Sequence, residues 1–436
     1  MSQTSYRQVW LAYAMGISSG ILGTLVYREL AGASLEPDVA QYEQVRNFVA
    51  QTYVKRLDAE EILTRSLRGL TRSLDPYSRY YNTEESNKLE LETAGNYPGI
   101  GVVLRRMNDR QRVLFSMAGS PASLAGLEPG DEIVSVEGVP AAGLSWSEFS
   151  DRMRGPAGSE VQLTVAKLLG EVVELRVERA LVVDPSVRHA VLLPDAQAIG
   201  YISVHSFSRR TPQEFDEALE KLTAQGMQGL ILDLRGNLGG VMESALAMAD
   251  RFVREGVLLR TESRRSVELH EATVEATRYP DLPLVVLVDG DSASASEILA
   301  GALQDHRRAA LVGTPTYGKG MVQTIRQFRE FGTRVKVTSA YYYSPSGRLF
   351  ERTAEEGRTH GIVPDVYIEL DAEQAQETAQ FLESYSPPET VVPALQRWQA
   401  SEPLARIPEV PSDAHLAAAL ELFQGTRPSA SASDPQ

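Results

Sequence analysis

The sequence predicts an α+β multidomain protein, because its hydrophobic periodicity changes character twice along the chain. Between about 38 and 95, apolar residues recur at three- and four-residue spacing (Val45, Phe48, Val49, Tyr53, then Ile62, Leu63, Leu67, Leu70, Leu74), the signature of amphipathic helices. From 96 to 182, short apolar runs alternate with glycine and proline turns, a β pattern. From 183 to 371, strand-like and helix-like segments alternate, which argues for an α/β layer with parallel strands. A polar, partly helical extension occupies 372–425, and the Pro-, Ser- and Ala-rich residues 426–436 read as disordered.

In the helical region, Asp75-Pro76 stops the helix before Tyr77-Ser78-Arg79-Tyr80-Tyr81. In the β region, Ile100 to Leu104 and Val113 to Phe115 are strand candidates, Ser147 to Arg154 a helix and Val161 to Val165 a strand. In the α/β region the expected order is strand Ile199–Val204, helix Pro212–Ala224, strand Leu230–Leu234, helix Met242–Val253, strand Leu284–Val288 and helix Ala295–Gln304.

The 436 residues exceed what one compact core supports, so two or three domains are expected. A formal net charge of −15 argues against nucleic-acid binding, which needs a basic surface. The absence of cysteine excludes disulfides, thiolate metal ligands and a thiol nucleophile. Val9 to Tyr27 is a run of 19 uncharged residues preceded by Arg7 and followed by Arg28 and Glu29. At 1.5 Å per residue such a run just spans a bilayer core of about 30 Å. Residues 1–33 are therefore expected to be a membrane anchor, or a signal peptide cleaved near Ala31-Gly32-Ala33. The lone Arg7 favours a cytoplasmic amino terminus with the rest of the chain exported, on the periplasmic side of a bacterial inner membrane.

Three segments of the α/β region carry candidate chemistry. In Leu232-Asp-Leu-Arg-Gly-Asn-Leu-Gly-Gly240 an apolar strand runs into a glycine turn that opens a helix, which leaves backbone N–H groups free to bind an anion. Leu284-Val-Val-Leu-Val-Asp-Gly-Asp-Ser-Ala-Ser-Ala-Ser-Glu-Ile298 repeats that geometry with three serines at the junction. A serine so placed has an exposed Oγ with free amides beside it; Ser292 and Ser296 read as helix caps, and Ser294 is the nucleophile candidate. In the third segment, Gly313 to Gln323, Lys319 stands between Gly318 and Gly320, where the chain can pack closely on a neighbour. Taken singly, Ser294 could be a cap and Lys319 a surface charge.

Residues 290–324, GDSASASEILAGALQDHRRAALVGTPTYGKGMVQT, resemble the carboxyl-terminal processing (tail-specific) peptidases. That resemblance implies a Ser294–Lys319 dyad with the lysine 25 residues after the serine, Gln323 orienting the lysine, and oxyanion donors at Gly239 and Ala295. It also implies a crotonase-like protease core. Leu74-Asp-Pro-Tyr-Ser78, the DLRGNLGG block at 233–240 and Gly361-Ile-Val-Pro-Asp365 extend the match; Leu238 departs from it, standing where proline or a small residue is usual. Ser120-Pro-Ala followed by Ala125-Gly-Leu, Pro129-Gly-Asp, Ile133, Val136 and Gly138 resembles a PDZ domain. Such domains bind a peptide carboxyl terminus by strand addition; Gly99, Ile100, Gly101 and Val102 are the expected carboxylate loop. An adaptor or activator protein and a homo-oligomer are also implied by the family.

A lysine at its ordinary pKa near 10.4 is protonated at neutral pH, so a lysine base requires burial to lower it. No metal or other cofactor is needed. Two other readings fit parts of the sequence. Gly313-x4-Gly318-Lys319 nearly spells a phosphate loop, but Gly320 replaces the Mg²⁺-binding Ser/Thr and a β-like segment follows. A catalytically inactive PDZ scaffold is the main functional alternative, opposed by the joint presence of Ser294, Lys319 and Gln323. The histidines at 189, 205, 270, 306, 360 and 415 form no motif with Ser294.

Overall fold

The computed structural model describes residues 37–194, 196, 198–352, 361–402 and 409–425. The candidate anchor Val9–Tyr27 and the tail 426–436 lie outside them. Among the described residues, no helix is long and apolar enough to cross a membrane.

Residues up to Tyr80 cluster as one unit and Tyr81 onward as another. In the first, helices α1 (Pro37–Thr52) and α2 (Ala59–Arg72) carry the predicted periodicity. Asp58 caps α2 by accepting the Glu61 N–H at 2.7 Å. The Asp75-Pro76 break is organised by the Asp75 carboxylate, which accepts the N–H groups of Tyr77 and Ser78 and the Ser78 hydroxyl.

The second unit opens with α3 (Thr83–Thr93) and β1 (Asn96–Gly99). A β-rich module follows: β2 (Val102–Met107), β3 (Arg110–Ser116), α4 (Pro121–Leu124), β4 (Glu132–Val136), α5 (Trp146–Met153), β5 (Glu160–Ala166) and β6 (Val172–Glu178). Its sheet runs β2-β3-β4-β5-β6. Alternation inside β5 buries Val161, Leu163 and Val165 against Val113, Ile133, Val136 and Phe149. Strand β7 (Ala180–Val183) pairs antiparallel with β1, bringing the two ends of the module together.

The remaining chain builds an α/β layer from β8 (Val187–Leu192), β9 (Ile199–Val204), α6 (Thr211–Ala224), β10 (Gly229–Asp233), α7 (Met242–Ala249), β11 (Val257–Ser263), β12 (Val267–Glu271), β13 (Leu284–Val288), α8 (Ala295–Asp305), β14 (Ala310–Gly313), β15 (Met321–Phe328), β16 (Thr333–Tyr343), β17 (Val366–Tyr367), α9 (Ala372–Glu383), α10 (Val392–Ser401) and α11 (Ala414–Phe423). The main sheet has the order β8-β9-β10-β13-β14-β17; β8 is antiparallel and the others are parallel. Its central strands β9, β10, β13 and β14 are mostly apolar because both faces are covered. Ile202, Leu230, Leu232, Val286 and Leu311 pack among α6, α7 and α8, while Tyr201, Ile231, Val285, Leu287 and Val312 pack against α9 and α11. A second sheet joins β15 to β16, β16 to β11 and β11 to β12.

One helix differs from its sequence expectation. The segment Met242–Val253 is helical only to Ala249, although Phe252 and Val253 stay buried. The Arg251 carbonyl instead accepts the N–H groups of Arg278 and Tyr279, so the apolar pattern outlasts the helix.

The carboxyl-terminal extension is structural. Leu395 and Trp398 of α10 are buried against Met107, Leu114 and Phe115 of the β-rich module. Asp413 caps α11 and also accepts from Arg235 at 2.7 Å. Arg235 in turn forms a multidentate pair with Asp233, which accepts the Tyr201 hydroxyl. Both ion pairs are at most 1% exposed. Removing the guanidinium strands two buried carboxylates, the expensive way to break an ion pair. Arg235→Met is therefore expected to lower unfolding free energy by about 3–5 kcal/mol, measured by urea denaturation. The same change at Arg254, whose pair with Asp281 is mostly exposed, should cost within about 0.5 kcal/mol.

Candidate active site

The site forms where the strands β10, β13 and β14 end and release three turns on one side of the sheet. The first turn follows Asp233. Asn237 is fully buried; its Nδ2 donates to the Val204 carbonyl at 2.7 Å and its Oδ1 accepts the Gly239 N–H at 2.9 Å. Gly239 has φ +99°, and a β-carbon there would stand 2.9 Å from Ser294 Cβ and 3.0 Å from the Ala295 nitrogen. Only glycine lets the first turn approach the serine this closely.

The second turn follows Val288. The half-buried Asp289 carboxylate accepts from Gly236 N–H, across the gap between turns, and from Asp291 and Ser292 N–H within its own. Ser292 Oγ donates to the Leu234 carbonyl and Ser296 Oγ to the Asn237 carbonyl, so these two serines stitch the first and second turns together. Ser294 is placed differently. It is 8% exposed, heads α8 and adopts φ 56°, ψ −111°, a strained conformation for a residue with a side chain. Strain of that kind costs about 1–3 kcal/mol and is tolerated where the surroundings over-determine it. Among the described residues, the Ala295 N–H at the open end of α8 has no acceptor.

The third turn, between β14 and β15, carries Lys319. Its register is set by the Tyr317 N–H donating to the Ser292 carbonyl and the Gly320 N–H donating to the Glu351 carboxylate. Lys319 is half-buried, and burial first, then the charge of Lys336, holds its ammonium below the ordinary lysine range. Glu297 and Glu351 pull in the opposite direction. Gln323 follows on β15, where its Nε2 donates to the Met321 carbonyl. The chain enters a strand after Lys319, not the helix that a phosphate loop requires.

Glu297 joins the second turn to the third. Its side chain, fully buried one turn into α8, accepts from Ser294 N–H at 2.8 Å, Lys319 N–H at 2.9 Å, Gly318 N–H at 2.7 Å and Thr316 Oγ1 at 2.6 Å. Gly361 closes over it: a β-carbon at 361 would lie 2.0 Å from Glu297 Oε1. Sequence reasoning did not single out Glu297, Asn237 or Asp289. For Glu297 one signal existed, the Ser-x-x-Glu spacing of a capping box.

The expected carboxylate loop lies in the β-rich module. Gly99 pairs with Ala180, the Ile100 carbonyl accepts the Ala122 N–H, and the Gly101 carbonyl accepts from Met117 N–H and Ser120 Oγ. Gly101 has φ +71° and hands the chain to Val102, the start of β2. Three of the histidines are engaged elsewhere: His306 contacts the Val257 carbonyl, His415 the Ile368 carbonyl, and His189 the Phe381 carbonyl. Among the described residues no cluster of side chains could hold a metal ion.

Comparison with known proteins gives this geometry a context. The profile of peptidase family S41 matches residues 198–368, and that of a PDZ domain matches residues 116–167. A carboxy-terminal-processing protease of Bartonella bacilliformis is 32% identical over 337 residues, 76% of this chain and 75% of that protein. A carboxyl-terminal-processing protease of Synechocystis is 35% identical over 327 residues, 73% of this chain and 74% of its own. The crystal structure of a putative S41 protease from Bacteroides fragilis shares the fold, with TM-score 0.50 at 16% identity over 88% of this chain and 97% of that one. The chain thus belongs to the carboxyl-terminal processing proteases of peptidase family S41 and is a serine peptidase with a PDZ domain.

Proposed function

We propose that Ser294 is the nucleophile and Lys319 its general base, in an endopeptidase that selects proteins by their free carboxyl termini and cleaves near them. The observation that carries the dyad is the shared Glu297 Oε2. It accepts both the Ser294 and the Lys319 backbone N–H, so those two nitrogens are less than about 6 Å apart. The core reads as crotonase-like, in keeping with its parallel sheet flanked by helices.

In the proposed cycle, neutral Lys319 takes the Ser294 proton as Oγ attacks the peptide carbonyl. The developing oxyanion is held by the Ala295 amide and by the Gly239 amide, which must exchange Asn237 Oδ1 for the substrate oxygen. The C–N bond breaks, the amine leaves with the proton from Lys319, and water then hydrolyses the serine ester. Gln323, with Nε2 committed to Met321, has Oε1 left to accept from the lysine and orient it.

Ser294→Ala and Lys319→Ala should each reduce peptide cleavage by at least about 10³-fold with the fold intact. Lys319→Arg should be equally inactive, because a guanidinium stays protonated. Since the base must be neutral, wild-type kcat/KM should rise with pH along one limb positioned below the ordinary lysine value, in the direction that burial and Lys336 dictate. Substantial cleavage by Lys319→Arg would remove Lys319 from the role of base.

Selection of carboxyl termini rests on Gly99, Ile100, Gly101 and Val102. Among the described residues the Ile100 and Gly101 N–H groups have no acceptor, and β2 begins beside them for strand addition. A peptide with a free carboxyl terminus should bind at least about tenfold more tightly than its amide, read by fluorescence anisotropy on Ser294→Ala; equal affinities would contradict the carboxylate loop. The uncharged run Val9–Tyr27 supports export of the catalytic part with attachment to the membrane. Cell fractionation should find the full chain with membranes or in the periplasm, and recovery from the cytosol would contradict export. Adaptor proteins and self-association remain proposals drawn from the family.

A further inference from the structure

Beyond a nucleophile and a base, the site contains a buried carboxylate that neither role uses. We propose that Glu297 is a positioning residue, whose ionised carboxylate holds the Lys319 loop in register against the Ser294 turn. This rests on the Ser294–Lys319 reading and extends it to the element that aligns the pair.

The chemistry of the four contacts makes the case. Ser294, Gly318 and Lys319 each present a backbone N–H and Thr316 presents a hydroxyl, which itself accepts the Ile362 N–H at 2.7 Å and so donates to Glu297. All four partners are donors. An ionised carboxylate offers only acceptors and satisfies them all. A protonated carboxyl or an amide of the same shape would point its own hydrogen at one of these donors. The wall at Gly361 leaves no room for the side chain to turn aside. Loss of the anion would therefore release two segments at once: the strained serine turn and the loop that carries the base. A displacement of about 1 Å between reacting groups is enough to cost about 10²-fold in rate.

Charge gives a second consequence, separable from geometry. The charged groups acting on Lys319 are Lys336, which lowers it, and Glu297 and Glu351, which raise it. Replacing Glu297 by a neutral residue removes one of the two raising charges, so the lysine should lose its proton at lower pH than in the wild type.

Glu297→Gln tests both consequences. The expected result is kcat lower by about 100-fold, KM changed less than about threefold, and the acid limb of kcat/KM moved to lower pH. Binding of a carboxyl-terminal peptide to the intact variant should be unchanged, which reports that the fold survives. Glu297→Asp keeps the charge and shortens the reach, so kcat should fall while the limb stays in place. A Glu297→Gln protein with wild-type kcat, or one whose activity falls only with its folded fraction and whose limb does not move, overturns the proposal. If Glu297→Gln does not fold, Thr316→Val, which removes only the hydroxyl donor, replaces it; a kcat fall of about tenfold at constant KM is then required, and wild-type kcat overturns the proposal. Lys319→Ala assayed alongside separates the two readings. An active Lys319→Ala discards the dyad itself, whereas an inactive one beside a wild-type-like Glu297→Gln discards only the positioning role.

Discussion

A fully buried carboxylate held by four hydrogen-bond donors is the constraint on which the site is built. Glu297 is fully buried at the start of α8, and its stability there depends on four donors drawn from the nucleophile turn and the lysine loop. Hydrogen bonds to a charged group contribute about 1.5–3 kcal/mol each, whereas a buried acceptor left unpaired costs a comparable amount. The arrangement is consequently all-or-none. Burial pushes the Glu297 carboxyl up while its donors draw it back down, and that opposition is the local record of the same balance.

Other features become intelligible from that constraint. Gly361 is needed because any side chain there would occupy the carboxylate's position. The Ser292 and Ser296 hydroxyls and the Asp289 carboxylate tie the first turn to the second, as Glu297 ties the second to the third, and the Asn237 amide ties the first turn to β9. Three turns from three parallel strands are thereby held by side chains that bond to backbone. Ser294 can then sustain a conformation that an unsupported serine would leave. Beneath the turns, the buried Asp233–Arg235–Asp413 array binds the end of β10 to α11, so the carboxyl-terminal extension supports the same sheet edge.

Much of this was legible in the sequence for definite reasons. The strand Leu284–Val288 is an uninterrupted apolar run because both faces of the sheet are covered, and Asp289-Gly290 punctuates its end. Ser292 and Ser296, expected as caps of α8, do not cap it: their hydroxyls donate to the Leu234 and Asn237 carbonyls of the first turn, partners that local spacing does not reveal. Helix α7 was overextended because Phe252 and Val253 preserve the periodicity after the backbone has turned away to meet Arg278 and Tyr279. Asn237 holding the Gly239 N–H had no sequence signal, since the bond depends on a glycine dihedral and on the neighbouring strand's Val204 carbonyl.

By itself the sequence determined the order of elements, the family, and Ser294 and Lys319 as candidates. These follow from periodicity and from motif spacing, both local properties of the chain. Only the tertiary structure decided that one oxygen of Glu297 receives N–H groups from residues 25 positions apart, from Ser294 on one side and Lys319 on the other. It also decided which charges surround the lysine, because Lys336 and Glu351 arrive from β16 and from the chain after it. Electrostatic and hydrogen-bond partners are set by distance in space, and distance in space is what a linear pattern does not encode.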